Sequence, residues 1–279
     1  MESFKERVFK KAALCRNFEN ETFKVIQNKI IKYPVYLSAG QEFIASSISE
    51  SIDANISPNI FIQHRGHSTY LSFGGSIEEL ISELLGKKNV CANGMGGSAS
   101  IQCKEKNIFG HDGLMASQVP IAVGNCFITK IPTIVFMGDS SAEEDYVFSS
   151  LGWASTKNLP ILFIVEDNNL SILTEKSVRR NWSIVKVAKG FGIEASDISD
   201  NPDDIKSHIL PDFDRPLLLN INTVRKYWHA GAGIDNENVF DRYREQMDEL
   251  GKFGQDIHNQ LKTEIKILWQ KQLEKLLKK

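Results

Sequence analysis

A chain of 279 residues with 42% hydrophobic side chains can bury the core of one large or two small α/β domains. Lys and Arg number 33 against 35 Asp and Glu, and a formal net charge of −2 argues against a general nucleic-acid binder or a membrane-surface protein. The longest apolar runs are strand-length, so no span of a bilayer is expected, and the charged opening MESFKERVFKK lacks the apolar core of a secretory signal. Cys15, Cys91, Cys103 and Cys126 are scattered without ligand-like spacing, which predicts reduced thiols in a cytoplasmic protein.

Residues 4–32 carry a helical pattern, with Val8, Leu14, Phe18, Val25, Ile26 and Ile30 as a candidate buried stripe and Pro34 as its expected stop. Ser38-Ala39-Gly40-Gln41-Glu42 leads into a second helix. A short apolar run at 60–62 precedes His64, Arg65 and His67. Three basic or titratable side chains within four positions fit an anion site better than an isolated loop histidine does, and arginine suits bidentate contact with phosphate. For the two histidines a solvated surface loop reads equally well. Ser76 and Glu79 form a capping box for a helix over 76–85. The glycine-rich stretch 93–98 has no strand in register before it, so it is no dinucleotide fingerprint, and a plain flexible loop remains open. A glycine-containing loop over 110–120, joined to a small-residue helix over 119–126, could bring backbone close to a flat ring, as could any structural turn.

The stretch 131–169 organises the rest. An apolar strand over 131–137 ends in Gly138-Asp139-Ser140-Ser141. A helix over 142–157, with Val147, Phe148, Leu151 and Ala154 on one face, leads to a second apolar strand over 160–165 that ends in Glu166-Asp167-Asn168-Asn169. Such a βαβ unit puts both polar clusters at the carboxyl ends of neighbouring parallel strands, where open sheets bind ligands. Asp139 offers a hard carboxylate and Asn168 a neutral carbonyl oxygen 168 − 139 = 29 residues later. That pairing suits magnesium, which completes its octahedron with phosphate oxygens and water, and the following helix would point N–H groups at the same phosphates. Two ordinary acidic strand-end turns would look the same.

Further on, a short helix over 184–191, an edge segment from 192 and a helix at Pro202 capped by Asn201 precede an apolar strand over 217–223. That strand delivers Arg225 and His229 to its carboxyl end. An amphipathic helix over 256–279 carries Ile257, Leu261, Ile265, Leu268 and Leu276. No linker or repeat divides the chain. The expected architecture is α/β, one domain over 1–279 with helical N- and C-terminal extensions and a mostly parallel central sheet flanked by helices on both faces.

In order and spacing, Ile62-Gln63-His64-Arg65-Gly66-His67, Asn93-Gly94-Met95-Gly96-Gly97-Ser98, the 113–120 loop, the Asp139 and Asn168 strand ends and Thr223-Val224-Arg225-Lys226-Tyr227-Trp228-His229 resemble one family across almost the whole chain. It is the alpha subunit of the 2-oxo acid dehydrogenase first component, the group containing pyruvate, branched-chain and acetoin dehydrogenases. The resemblance implies a thiamine-diphosphate-binding fold holding thiamine diphosphate and Mg2+. It assigns the metal to Asp139, Asn168 and the backbone carbonyl of Leu170, and the diphosphate motif to Gly138, Asp139, Ser140 and Ser141. It assigns Arg65 to the diphosphate, backbone atoms of Gly113 and Met115 to the aminopyrimidine ring, and His229 to the reacting end, where His64 and His67 are further catalytic candidates.

The departures are Ser140 for the usual glycine, His64 where many members have tyrosine, Ser100 and Tyr227 where histidines are common, and Ala230 at the regulatory serine. The implied function is an alpha-type subunit of an enzyme that decarboxylates a small 2-oxo acid and transfers the acyl or hydroxyalkyl unit, with a lipoyl carrier as a possible acceptor. The pyrimidine-side glutamate would come from a beta-type subunit in an alpha2beta2 heterotetramer, with the helix faces near Gly40 and Ala122 buried between subunits. Acting alone, the chain would need a glutamate of its own, such as Glu42. A transketolase-like or acyloin-forming carboligase, for which Ser140, Ser100 and Tyr227 leave room, and a non-catalytic scaffold are the rival readings.

Overall fold

The computed structural model describes residues 2–209, 214–231, 233–235 and 238–277. In chain order, helices α1 (Phe4–Gln27) and α2 (Glu42–Ser51) precede strand β1 (Asn59–Phe61), then come α3 (His67–Ser72), α4 (Ile77–Leu84), β2 (Ile108–Phe109), α5 (Gln118–Thr129) and β3 (Thr133–Gly138). The second half runs α6 (Asp145–Thr156), β4 (Ile161–Asp167), the small strands β5 (Leu170–Ser171) and β6 (Thr174–Glu175), α7 (Lys176–Arg179), α8 (Ile184–Gly190) and β7 (Glu194–Ser199). It closes with α9 (Pro202–His208), β8 (Leu217–Asn222), α10 (Arg242–Glu249) and α11 (Gly251–Leu277).

Six strands form one parallel sheet in the order β2-β1-β3-β4-β8-β7. Its central strands β3 and β4 and most of β8 are apolar because both faces are covered, whereas the edge strand β7 is largely polar and only partly buried. Ile134, Phe136, Leu162, Ile164, Leu217, Leu219 and Ile221 point to one side, where Phe18, Ile44, Ile48, Tyr70, Leu80, Ile205 and Trp269 meet them. Val135, Met137, Ile161, Phe163, Val165 and Leu218 point to the other, against Val119, Val123, Val147, Leu151, Ile184 and Ala188. A third cluster, with Val8, Phe9, Ala12, Phe43 and Tyr243, ties α10 onto α1 and α2. The chain leaves β1 towards β2 on one side and returns as β3 on the other, so its direction across the sheet reverses between β1 and β3. A crevice is expected at the carboxyl ends of those strands.

Four expectations need correction. Helix α1 stops at Gln27 instead of continuing to residue 32: Lys29 turns left-handed (φ 58°), and its amide donates to the Ile26 carbonyl at 2.8 Å, a local stop well before Pro34. Ile30 is consequently exposed. The helix after Asp139 starts only at Asp145, because a 3₁₀ turn (Ser141–Glu143) intervenes and separates the strand end from the helix amino terminus. The C-terminal helix starts at Gly251 and is preceded by α10, a separate helix capped by Asp241; residues 278 and 279 of the expected helix lie outside the described residues. Finally, α2 buries Phe43, Ile44, Ala45 and Ile48 within this chain, so its apolar face is not left for a partner. Among the described residues no helix is long and apolar enough to cross a membrane.

Candidate active site

The carboxyl ends of β1, β3, β4 and β8 open into a cavity of about 210 Å³. Gly40 lets the chain before α2 pack closely against the segment that carries Arg225 into the cavity. Its φ of +102° is in glycine's range, and a Cβ there would lie 2.3 Å from the Val224 carbonyl oxygen, so the turn before α2 can press against the chain leaving β8. Thr223 Oγ1 donates to the Gly40 carbonyl at 3.0 Å and the Lys226 amide to that of Ala39 at 3.0 Å. A larger hollow, about 710 Å³, lies beside β2 and contains none of the expected site residues.

One wall of the cavity is built of oxygens. Gly138, Asp139, Ser140 and Ser141 line it from β3, and Asn168 and Leu170 from β4. Asp139 is almost fully buried and ion-paired with Arg179. Burial, with Asp167 nearby, raises its pKa above the usual carboxylate value against the opposing pull of Arg179. Asn168 donates from Nδ2 to Gln41 Oε1 at 3.0 Å, while its Oδ1 accepts the Leu170 amide at 3.1 Å. Asp167 faces away, compensated by Lys176 and by Asn220 Nδ2 at 3.0 Å. Beneath this wall the carboxylate of Glu166 accepts from Gln63, and complete burial pushes its pKa up to about 7.

Two arginines supply positive charge. Arg65 donates to the carbonyls of Leu37 at 2.8 Å and His229 at 3.1 Å, and among the described residues no carboxylate forms an ion pair with it. Burial, and the neighbouring Arg225, bring its pKa down to about 10, still leaving it charged at neutral pH. Arg225 is paired with Asp235 and donates to the Ile172 carbonyl at 2.7 Å.

The other wall is aromatic. Tyr36 packs edge-on against His64 and His229, with ring centroids 4.9 and 5.3 Å away, and His64 lies 5.9 Å from His111 and 5.6 Å from His229. Burial first, then the Arg65 charge, lowers the pKa of His64 to about 2 and that of His229 to about 4; burial also lowers that of His111. All three rings are neutral at pH 7.

Of the residues singled out from the sequence, His64, Arg65, Gly113, Met115, Gly138, Asp139, Ser140, Ser141, Asn168, Leu170 and His229 all line this one cavity. His67 does not, which corrects its expected place at the reacting end. It is fully buried, with Nδ1 3.1 Å from both carboxylate oxygens of Glu19 and Nε2 2.9 Å from Ser98 Oγ, which in turn accepts the Tyr36 amide at 3.0 Å. It braces the cavity wall from behind. Glu42 is also excluded from the cavity: it is buried against Arg16 and accepts the Gly40 amide at 2.6 Å. Gly113 needs its glycine for a φ of +101°, not for space, because among the described residues nothing stands within 4 Å of a Cβ there. The Met115 carbonyl is taken by the Tyr146 hydroxyl.

Sequence reasoning missed Tyr36, Gln63, His111 and Arg179. Arg179 and Asp139 are forty positions apart, and no local pattern joins them. Gln63, inside the 62–67 segment, and His111, a histidine inside the glycine-containing loop, carried the available signals. The glycine-rich loop also proves to be ordered by a carboxylate: Glu83 accepts the amides of Ala92, Gly94, Gly96 and Gly97 at 2.8–3.2 Å.

Residues 10–206 match the family described as "Dehydrogenase E1 component". The mitochondrial pyruvate dehydrogenase E1 component subunit alpha-1 of Arabidopsis thaliana is 26% identical over 258 residues, which span 87% of this chain and 65% of that protein. The pyruvate dehydrogenase E1 component subunit alpha of Rickettsia conorii is 26% identical over 259 residues, 85% of this chain and 77% of that protein. This chain thus spans less than two thirds of the length of the Arabidopsis relative. Among solved structures, transketolase from Campylobacter jejuni superposes with a TM-score of 0.61 at 15% identity, over 99% of this chain and 51% of that one, a likeness of fold.

Proposed function

The chain belongs to the dehydrogenase E1 component family, and from that membership we propose that it is the alpha-type subunit of a thiamine-diphosphate- and magnesium-dependent enzyme acting on a small 2-oxo acid. The enzyme would decarboxylate the acid and pass on the acyl or hydroxyalkyl unit. The observation that carries this reading is the meeting of Asp139, Asn168, Leu170 and Arg65 in one cavity at the reversal point of a parallel sheet.

The donor set fits the implied groups. Asp139 contributes one carboxylate, Asn168 an amide oxygen and Leu170 a backbone carbonyl, hard oxygens of the kind magnesium takes when phosphates and water complete its shell. Among the described residues no group of three His, Cys, Asp or Glu gathers to hold a metal by itself, so a cation here would depend on oxygens brought by its ligand. Arg65, without a carboxylate partner, offers its charge to a diphosphate. When bound, thiamine diphosphate supplies the nucleophilic carbon and the electron sink for decarboxylation. The protein's part is to hold it, to keep water out behind Tyr36 and His64, and to present N–H groups of neutral rings to the substrate.

The pyrimidine-side glutamate is assigned to a beta-type partner, since Glu42 is spent on Arg16. Exposed Ile121 and Ile128, on either side of Gly124 on α5, support a surface for such a partner. An alpha2beta2 assembly, a lipoyl acceptor and a cytoplasmic setting belong to the same proposal. Purifying the chain alone and then with its co-assembling partner, with 2-oxo acid decarboxylation and light-scattering mass as readouts, tests it. Activity is expected only from the complex; full activity from this chain alone would overturn the half-site reading.

A further inference from the structure

Two imidazoles of the aromatic wall have tautomers dictated by their neighbours. His111 Nδ1 lies 2.9 Å from the Gly113 amide nitrogen. A backbone N–H can only donate, so Nδ1 is the acceptor and the ring proton of the neutral form sits on Nε2. His229 Nδ1 lies 3.4 Å from Arg65 NH2, and arginine also only donates, so His229 likewise carries its proton on Nε2. Neither Nε2–H makes a well-aligned hydrogen bond among the described residues, although the Leu114 backbone carbonyl lies near enough to the His111 ring to oppose the lowering of its pKa, and His64, between the two rings, makes none there either.

His111 is held as well as oriented. Ser100 Oγ donates to its carbonyl, its ring packs against that of His64 at an interplanar angle of 61°, and it is almost fully buried. Tyr36, His64, His111 and His229 together present phenol and imidazole groups on one side of a cavity that Ala99, Met115, Leu170 and Ile172 also line. A methyl or branched substituent set against that wall would leave the Nε2–H donors unpaired, whereas an oxygen would satisfy one.

We propose that His111 is a specificity-determining residue, donating its Nε2–H to an oxygen on the carbon next to the reacting carbonyl, so that the preferred substrates are small 2-oxo acids bearing a hydroxyl at C3. This rests on the reading of the cavity as a 2-oxo acid site. His111 offers a single neutral hydrogen bond, so its effect on discrimination is roughly tenfold.

The test uses the near-isosteric pair 3-hydroxypyruvate and 2-oxobutyrate, which differ by a hydroxyl in place of a methyl, with the assembled complex loaded with thiamine diphosphate and Mg2+. The native complex is expected to favour 3-hydroxypyruvate in kcat/KM by roughly tenfold. His111→Asn keeps an oxygen to accept the Gly113 amide but removes the Nε2–H, and is expected to bring the ratio near one. His111→Phe, which removes both functions, separates loss of the donor from loosening of the 111–115 loop. A thiamine diphosphate titration of each variant shows whether the loop still closes the cavity. If neither acid turns over, the parent reading fails, and the ratio of dissociation constants for the same two acids, by calorimetry, still decides the role of His111. A native preference for 2-oxobutyrate, or a ratio unmoved in His111→Asn with cofactor binding retained, would overturn the proposal.

Discussion

Arg179, at the end of α7, is ion-paired with Asp139, the residue that follows β3 into the cavity. The same guanidinium reaches Glu143 Oε1 at 3.0 Å. A carboxylate this buried requires a counter-charge, so a metal bound at Asp139 would share it with Arg179 or displace that side chain towards Glu143. The carboxylate is therefore placed by an internal partner before any ligand arrives.

Asp139→Asn is accordingly expected to abolish magnesium-dependent binding of thiamine diphosphate to the assembled complex. It also leaves Arg179 with Glu143 alone, at a cost of roughly 3 kcal/mol in stability, with the fold retained. Calorimetric titration and circular dichroism check both parts. Unchanged affinity with a native spectrum would remove Asp139 from the metal site.

His229→Ala should lower turnover by about 10² to 10⁴-fold, the usual range for one acid–base or orienting side chain, while changing cofactor affinity much less. Arg65 donates to the His229 backbone carbonyl, which alanine retains, so the anion site should survive. Steady-state kinetics beside a cofactor titration separates the two effects. Near-normal turnover would place His229 outside the chemistry.

Stability should fall as the solution is acidified below pH 6.5. The folded pKa of His229 is lowered to about 4 and that of His64 to about 2, so the unfolded chain binds more protons than the folded one in this window. The stabilisation they give is complete above the unfolded value near 6.5 and is lost as pH falls towards the folded values. Glu166, raised to about 7, works with the opposite sign: its contribution is present below 4.5 and lost as pH rises through 7. Comparing urea midpoints at pH 7.5 and 5 for the native chain and His64→Asn isolates the histidine, and the variant should lose less on acidification. An equal loss in both would show that His64 is not held neutral.

Glu83→Ala removes the acceptor of four backbone amides in the glycine-rich loop. At about 1 kcal/mol for each hydrogen bond, partly replaced by water, a loss of about 3 kcal/mol is expected. Hydrogen exchange at Ala92, Gly94, Gly96 and Gly97 should quicken beyond that of the sheet. Protection equal to the native chain's would mean that the loop is held by other contacts.

The βαβ unit around Asp139 and Asn168 was legible because its signals are local. Unbroken apolar runs mark strands buried on both faces, and the polar residues that end them fall at the carboxyl edge by chain direction alone. The same holds for Ser76, whose side chain accepts the Glu79 amide as a helix cap, and for Asn201 before α9. By itself, then, the amino-acid order determined the parallel sheet, the sites where its strands end and the gathering of oxygens and an arginine there.

Side-chain direction and charge pairing across long separations were left to the tertiary structure. His64 and His67 sit three positions apart at the mouth of α3, yet one faces the cavity and the other turns into the core to meet Glu19 on α1. Nothing near them in the chain distinguishes the two. Likewise Asp139 finds Arg179, and Arg16 finds Glu42 and Asp241, only because the sheet order and the layer of helices above it bring those segments together. Periodicity is a property of neighbours in sequence. Compensation of a buried charge is a property of neighbours in space, and only the packed chain decides which partner is near enough to supply it.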